Sequence, residues 1–162
     1  MVFTQTQRAG LVFMTASGTP QFYLDLLCRM AETIADELGL LLVTASKDEE
    51  KLRATFFIRL AGLASTKSDA KPDLVIEIAT NLVSPEATEL GNVRECWRYD
   101  GAKLAFYELQ NGEYVEPSAS LAFPFVQAED LAAFLEQSAA DGADTVVWRL
   151  KSLLQKHKPA SN

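Results

Sequence analysis

The chain has 162 residues, of which 48% are hydrophobic and 23% are charged, and this length predicts a single domain over residues 1–162. Its apolar runs are shorter than the roughly 20 residues that cross a bilayer, and its start lacks a signal-peptide pattern, so we expect a cytoplasmic protein without membrane contacts. The net charge of −7 disfavours nucleic acid as a partner, and one histidine with two cysteines is too few for a zinc site or a histidine-based triad.

A short strand and a long helix are predicted first. The apolar run Leu11–Met14 indicates the strand. Thr19 and Pro20 are typical of a helix N-cap followed by proline at the first helical position, and Gly39 is suited to the position after a helix end. Between them, apolar residues recur every three or four positions, which predicts a helix over residues 20–38: Phe22, Leu26, Leu27, Met30, Ile34 and Leu38.

Three strands are predicted after the helix. Leu40–Thr44, Thr55–Leu60 and Leu74–Ile78 are apolar runs rich in residues that favour strands. The charged segment Lys47–Lys51, between the first two, is interpreted as a solvated loop.

The second half of the chain predicts an antiparallel meander and two helices. Turn signals separate three strand-like runs, and Asn-Gly is the strongest of these signals: strands Val93–Tyr99, Leu104–Leu109 and Glu113–Val115, with turns at Asp100-Gly101 and Asn111-Gly112. Apolar spacing then predicts one helix around Leu131–Leu135 and another around Val146–Leu154. The fold class is therefore α/β (α+β), a mixed sheet containing a meander and flanked by an amino-terminal helix and carboxy-terminal helices.

The aromatic residues of the meander have two interpretations. Aromatic side chains on a sheet can stack on nucleic-acid bases, but they more often fill a core, and the acidic charge favours the core: Trp97, Tyr99, Phe106, Tyr107 and Tyr114. The last helix leaves a similar choice between packing on its own core and forming a dimer surface.

Several segments resemble a known family. The segments KPDLVIEI (71–78), VRECWRYDG (93–101), KLAFYELQNGEYVE (103–116) and SLAFPF (120–125) are similar to the Uma-two family, bacterial nuclease-like proteins with the restriction-endonuclease-like fold. The resemblance implies a restriction-endonuclease-like core that cuts DNA with a divalent metal such as Mg²⁺. It also implies a site with an aspartate at the start of one strand, a glutamate in the next and a lysine just beyond.

This sequence departs from that site. Glu77 stands at the place of the family's glutamate, but Arg53 stands where the first aspartate is expected. The segment Asn81–Leu90 contains no lysine or arginine. Pro72 and Asp73 supply the letters of a "PD" signature, but Asp73 and Glu77 are four positions apart in one strand and so lie about 13 Å apart, too far for one ion to bridge. Asp73 is therefore interpreted as a strand-start residue.

We hypothesise that an internal ion pair replaces the metal, because a buried carboxylate needs a partner. Arg53 or Arg59 would pair with Glu77; the alternative is that Glu77 is a solvated strand residue. The leading functional interpretation is a non-catalytic protein without a cofactor that acts through protein contacts, such as a homodimer. One alternative is an active Mg²⁺-dependent DNA endonuclease with relocated residues: Asp69, Asp73, Lys71 or Glu86. A third possibility is DNA binding without cleavage.

Overall fold

The computed structural model describes residues 19–60, 71–79, 85–86 and 90–157. Within these residues the chain forms three helices and six strands. In chain order they are α1 (Pro20–Glu37), β1 (Leu40–Asp48), β2 (Arg53–Leu60), β3 (Leu74–Ile78), β4 (Glu95–Tyr99), β5 (Leu104–Gln110), β6 (Glu113–Val115), α2 (Ala128–Asp141) and α3 (Ala143–His157). The strand predicted at 11–14 lies outside the described residues.

The six strands form one mixed sheet in the order β1-β2-β3-β4-β5-β6. Every neighbouring pair is antiparallel except β3 and β4, which run parallel. The parallel pair at the centre explains why both strands are fully buried, since parallel strands are normally covered on both faces. The predicted mixed sheet with a carboxy-terminal meander is therefore confirmed.

Helix α1 forms where the sequence predicted it. The Thr19 hydroxyl accepts a hydrogen bond from the Phe22 N–H at 3.2 Å, and Pro20 opens the first turn. Gly39 follows the helix end with φ of 73°, a conformation that glycine adopts without strain. The apolar stripe of α1 packs on the sheet, where its largest members are fully buried: Leu24, Leu26, Leu27, Met30 and Ile34.

The two faces of the sheet carry separate clusters. The three helices cover one face, and Trp97 stacks there on Phe106 with ring centroids 4.7 Å apart. The opposite face carries a smaller cluster around Val75, Cys96 and Tyr107. All five aromatic residues of the meander are buried, which confirms their interpretation as core residues.

The strand bounds differ from the prediction near the first hairpin. β1 continues to Asp48, so Lys47 and Asp48 belong to a strand and the predicted loop 47–51 is shorter than expected. The extension is possible because β1 pairs with β2 as far as Asp48 and Arg53, past a bulge between Thr44 and Ser46. Apolar periodicity does not detect such a pairing, since its residues are polar.

The carboxy-terminal elements follow the prediction closely. Asn111 and Gly112 have φ of 51° and 83°, as the tight turn of a two-residue hairpin requires. In α3, Val146, Leu150 and Leu154 are buried in the core, so this helix packs on its own domain. Among the described residues, no helix has the length and apolarity of a membrane span.

Candidate functional site

Strand register places four charged residues in one row across the sheet. Asp48 on β1 lies opposite Arg53 on β2, Arg53 opposite Glu77 on β3, and Glu77 opposite Arg98 on β4. The charges alternate in sign from strand to strand, and directly opposed charges of this kind attract one another. We call these four residues the charged row.

The turn between β1 and β2 holds the row in place. Leu52 adopts a positive φ of 53°, which is rare for a branched apolar residue. Its carbonyl accepts a hydrogen bond from the Ile78 N–H at 3.0 Å. This bond ties the turn to the end of β3, so the start of β2 is fixed beside Glu77.

The Glu77 carboxylate is held between two guanidinium groups. Arg53 Nε donates to Glu77 Oε2 at 2.9 Å, and Arg98 Nε donates to Glu77 Oε1 at 2.7 Å. Glu77 is only 3% exposed, so these charge-assisted bonds form with little competition from water. The solvated alternative for Glu77 is therefore excluded, and both of its oxygens have a cationic partner.

Arg59 and Asp73 form a different pair. Arg59 Nη1 lies 3.3 Å from Asp73 Oδ2, and the same oxygen accepts the Ile58 N–H at 2.7 Å. Asp73 immediately precedes β3, as its interpretation as a strand-start residue predicted. Of the two arginines considered as partners of Glu77, Arg53 is the one that lies opposite it. The candidate Asp69 lies outside the described residues, while Lys71 and Glu86 are exposed.

Sequence reasoning missed Arg98. The residue lies in the segment that carries the family resemblance, but only its aromatic neighbours drew attention. The sequence does contain one signal for Arg98, because successive side chains of a strand point to opposite faces of the sheet. This alternation places Arg98 on the same face as Cys96 and on the opposite face from Trp97. Recognising it as a partner of Glu77 also needed the parallel register of β3 and β4, which the sequence does not specify.

Cys96 lies on the same face of the sheet as the charged row. Its Sγ is 4.0 Å from Glu77 Oε1 and is buried. Burial, and secondarily the nearby Glu77 carboxylate, raise the pKa of the Cys96 thiol well above its ordinary value. Burial also raises the pKa of Cys28 to about 12. Both thiols are therefore protonated and poor nucleophiles at neutral pH.

A second buried carboxylate, Glu95, was also missed. Glu95 is fully buried, and its oxygens accept hydrogen bonds from neutral donors: Trp97 Nε1 at 2.8 Å, Ser120 Oγ at 2.6 Å and the Ala122 N–H at 2.8 Å. Burial raises the pKa of Glu95, while these hydrogen bonds act in the opposite direction. Glu95 thus fastens the segment around residues 120–122 to β4.

The arginine partners of Glu77 bear on whether this site can hold a metal ion. Among the described residues, no three or more histidine, cysteine, aspartate or glutamate side chains are grouped as a metal site requires. The carboxylate that the family resemblance assigns to a metal is bonded to Arg53 and Arg98 instead. A divalent ion at Glu77 would have to displace these guanidinium groups.

Comparison with known proteins leaves the family as a prediction. The resemblance to the Uma-two family rests on four segments between residues 71 and 125. The structure adds a mixed sheet, which is the class of sheet that the resemblance implies. No protein-family model, no curated protein and no solved structure matches this chain.

Proposed function

We propose that this chain is a restriction-endonuclease-like protein whose metal site has been replaced by the Arg53–Glu77–Arg98 cluster, and that it acts through protein contacts rather than by cutting DNA. One observation carries the proposal: both oxygens of the buried Glu77 carboxylate are bonded to guanidinium groups. In a metal-dependent nuclease these oxygens would coordinate the ion.

The strand positions support this replacement. The family resemblance implies an aspartate at the start of one strand and a glutamate in the next. Arg53 is the first residue of β2, and it is the direct register partner of Glu77 on β3. An arginine beside Glu77, where the resemblance implies an acid, supports the proposed replacement.

Electrostatics oppose a metal at this position. Two unit charges 4 Å apart interact by about 4 kcal/mol at the effective dielectric of a protein surface. A divalent ion on Glu77 would face repulsion of this order or more from Arg53 and Arg98 together. The lysine that the family uses to assist phosphate chemistry also has no counterpart between residues 81 and 90.

Exposed apolar side chains support a role in protein contacts. Trp148 on α3 is 67% exposed, and Leu41 and Phe125 are each 48% exposed. Tryptophan is enriched at protein–protein interfaces, so Trp148 marks α3 as the surface to test, and a second copy of the chain is the simplest partner.

DNA cleavage is the direct test. We expect no cleavage of plasmid or single-stranded DNA with Mg²⁺ or Mn²⁺, and no calorimetric binding of either ion that depends on Glu77. The matched variants are Glu77→Gln and Asp73→Asn, which each remove one carboxylate charge from β3 or its start. Cleavage that Glu77→Gln abolishes would overturn the proposal. Cleavage that only Asp73→Asn abolishes would establish the alternative, an endonuclease with relocated residues.

A variant that restores an acid at residue 53 also tests whether Arg53 has replaced a metal ligand. Arg53→Asp would place two carboxylates on directly paired residues, whose Cβ atoms lie about 5 Å apart. Two carboxylates at this spacing can share one hard cation. We expect Arg53→Asp to bind Mn²⁺ measurably by calorimetry while the natural chain does not. Binding by both proteins with equal affinity would contradict the replacement.

A further inference from the structure

A polar pocket lies beside the exposed edge of the charged row. It encloses about 220 Å³ on the face of the sheet opposite the helices, and its walls come from β1, β2, β3 and the β1–β2 turn. Two cations and two hydroxyl groups line it together: Lys51 and Arg53, with Ser46 and Thr55. Asp48, Val75 and Leu90 complete the lining.

Arg53 offers uncommitted donors to this pocket. The guanidinium uses Nε for Glu77 Oε2, and the contacts found among the described residues leave its two terminal NH₂ groups available. The Arg53 side chain is 24% exposed, so these groups reach the surface. A guanidinium edge with two parallel N–H donors matches the oxygens of a phosphate group.

The hydroxyl groups supply a further donor. Ser46 Oγ and Thr55 Oγ1 are 2.6 Å apart and bonded to each other across β1 and β2. One hydroxyl donates within this pair, so the other is free to donate to a ligand. The exposed Lys51 adds a second cation to the lining.

The charge balance favours an anion despite Asp48. Asp48 is the one acid among the described residues of the lining, and its Oδ1 already accepts the N–H groups of Glu50 and Lys51 at 3.0 and 3.1 Å. Among the described lining residues, Lys51 and Arg53 outnumber Asp48 by one positive charge, and the adjoining Glu77 and Arg98 offset each other. The surplus is local, because the whole chain carries −7.

We propose that this pocket binds a phosphate group through Arg53, Lys51 and one hydroxyl of the Ser46–Thr55 pair. A phosphate has enough acceptor oxygens to engage all three kinds of donor at once, whereas a carboxylate has two. The inference builds on the proposed function, because an arginine at the place of a metal-binding acid turns a cation site into an anion site. The acidic chain favours a small phosphate compound over a nucleic-acid backbone.

Titration with inorganic phosphate tests the pocket. Backbone amide resonances would be followed in chloride buffer as phosphate is added, and we expect saturable shifts at residues 46–55. Thymidine 5′-monophosphate and a single-stranded oligothymidylate form two further arms. Equal or stronger binding of the mononucleotide indicates a small-molecule site, and much stronger, salt-sensitive binding of the oligonucleotide indicates a backbone site. Absence of saturable shifts with all three probes would overturn the inference.

Lys51→Gln and Lys47→Gln form a matched pair of variants. Each removes one positive charge, but Lys47 pairs with Asp25 of α1 on the other face of the sheet. We expect Lys51→Gln to weaken phosphate binding about fivefold, the loss of one charge-assisted bond, and Lys47→Gln to leave it unchanged. Equal weakening by both variants would show unspecific attraction and would contradict the pocket.

Arg53 is tested by a conservative change. Arg53→Lys keeps the charge beside Glu77 but loses the forked donors, so we expect about tenfold weaker phosphate binding, with the fold checked by circular dichroism. The two proposals fail separately. Absence of both phosphate and Mg²⁺ binding removes only the phosphate pocket, whereas Mg²⁺ binding that requires Glu77 removes the proposed replacement of the metal site.

Discussion

Glu77 and Glu95 are two buried carboxylates on neighbouring strands and on opposite faces of the sheet. Glu77 on β3 is bonded to two guanidinium groups, Arg53 and Arg98. Among the described residues, Glu95 on β4 accepts hydrogen bonds from neutral donors, including Trp97 and Ser120. A buried glutamate is thus stabilised by opposite charges at Glu77 and by neutral hydrogen-bond donors at Glu95.

The difference shows what each carboxylate contributes. A carboxylate paired with two cations is held by strong mutual attraction, and its removal takes away the buried counter-charge that both cations contact. A carboxylate held by neutral groups pays a desolvation cost that the hydrogen bonds only partly offset, and burial accordingly raises the pKa of Glu95. We therefore expect the two sites to respond differently to truncation and to pH.

Truncation of Glu77 gives the largest expected effect. Glu77→Ala removes the buried carboxylate that Arg98 Nε and Nη2 both contact, and Arg98 is itself only 9% exposed. Breaking a buried ion pair costs roughly 3–5 kcal/mol, and we expect the lower end because Arg53 can turn to solvent. Urea unfolding measures the loss of unfolding free energy. A loss below about 1 kcal/mol would show that the cluster is not a stabilising charge pair.

Truncation of Glu95 gives the second-largest expected loss of unfolding free energy. Glu95→Ala leaves the Trp97 indole N–H, the Ser120 hydroxyl and the Ala122 N–H without their acceptor. Unsatisfied buried donors cost about 1–3 kcal/mol each, but the segment at 120–122 can move to meet water, so we expect about 2 kcal/mol in total. Hydrogen exchange should also become faster at Ala122. Unchanged exchange there would contradict the role of Glu95 as the anchor of this segment.

These two sites also show how far the sequence leads. The helix at residues 20–38, strand Leu74–Ile78 and the Asn111-Gly112 turn follow from local patterns, because capping, alternation and turn chemistry are encoded within a few residues. An ion pair between Glu77 and either Arg53 or Arg59 was one of two predictions for Glu77, and the strand register selects Arg53. Arg98 and Glu95 were not found, because their partners lie 21 and 25 residues away in the chain and meet only through sheet register and loop closure.

Dependence on pH separates the two carboxylates further. Because the folded pKa of Glu95 is raised above its ordinary value of 4.5, its protonated form is favoured by folding. Its stabilising contribution is fully present below pH 4.5 and is lost as the pH rises through the folded pKa. The free energy of unfolding of the natural chain minus that of Glu95→Gln should therefore fall as the pH rises from 4 toward neutrality, in urea titrations. A difference that stays flat or rises would contradict a raised pKa.

An exposed ion pair gives the smallest effect and sharpens the comparison. Lys47 Nζ lies 2.8 Å from Asp25 Oδ1, nearly the distance between Arg98 Nε and Glu77, but both side chains are more than a third exposed. Water screens such a pair, so Asp25→Ala should cost less than about 0.5 kcal/mol in urea unfolding. If Asp25→Ala and Glu77→Ala cost the same, distance rather than burial would set the strength of these pairs. The expected large difference assigns the stability to the cluster in which two cations share the buried Glu77 carboxylate.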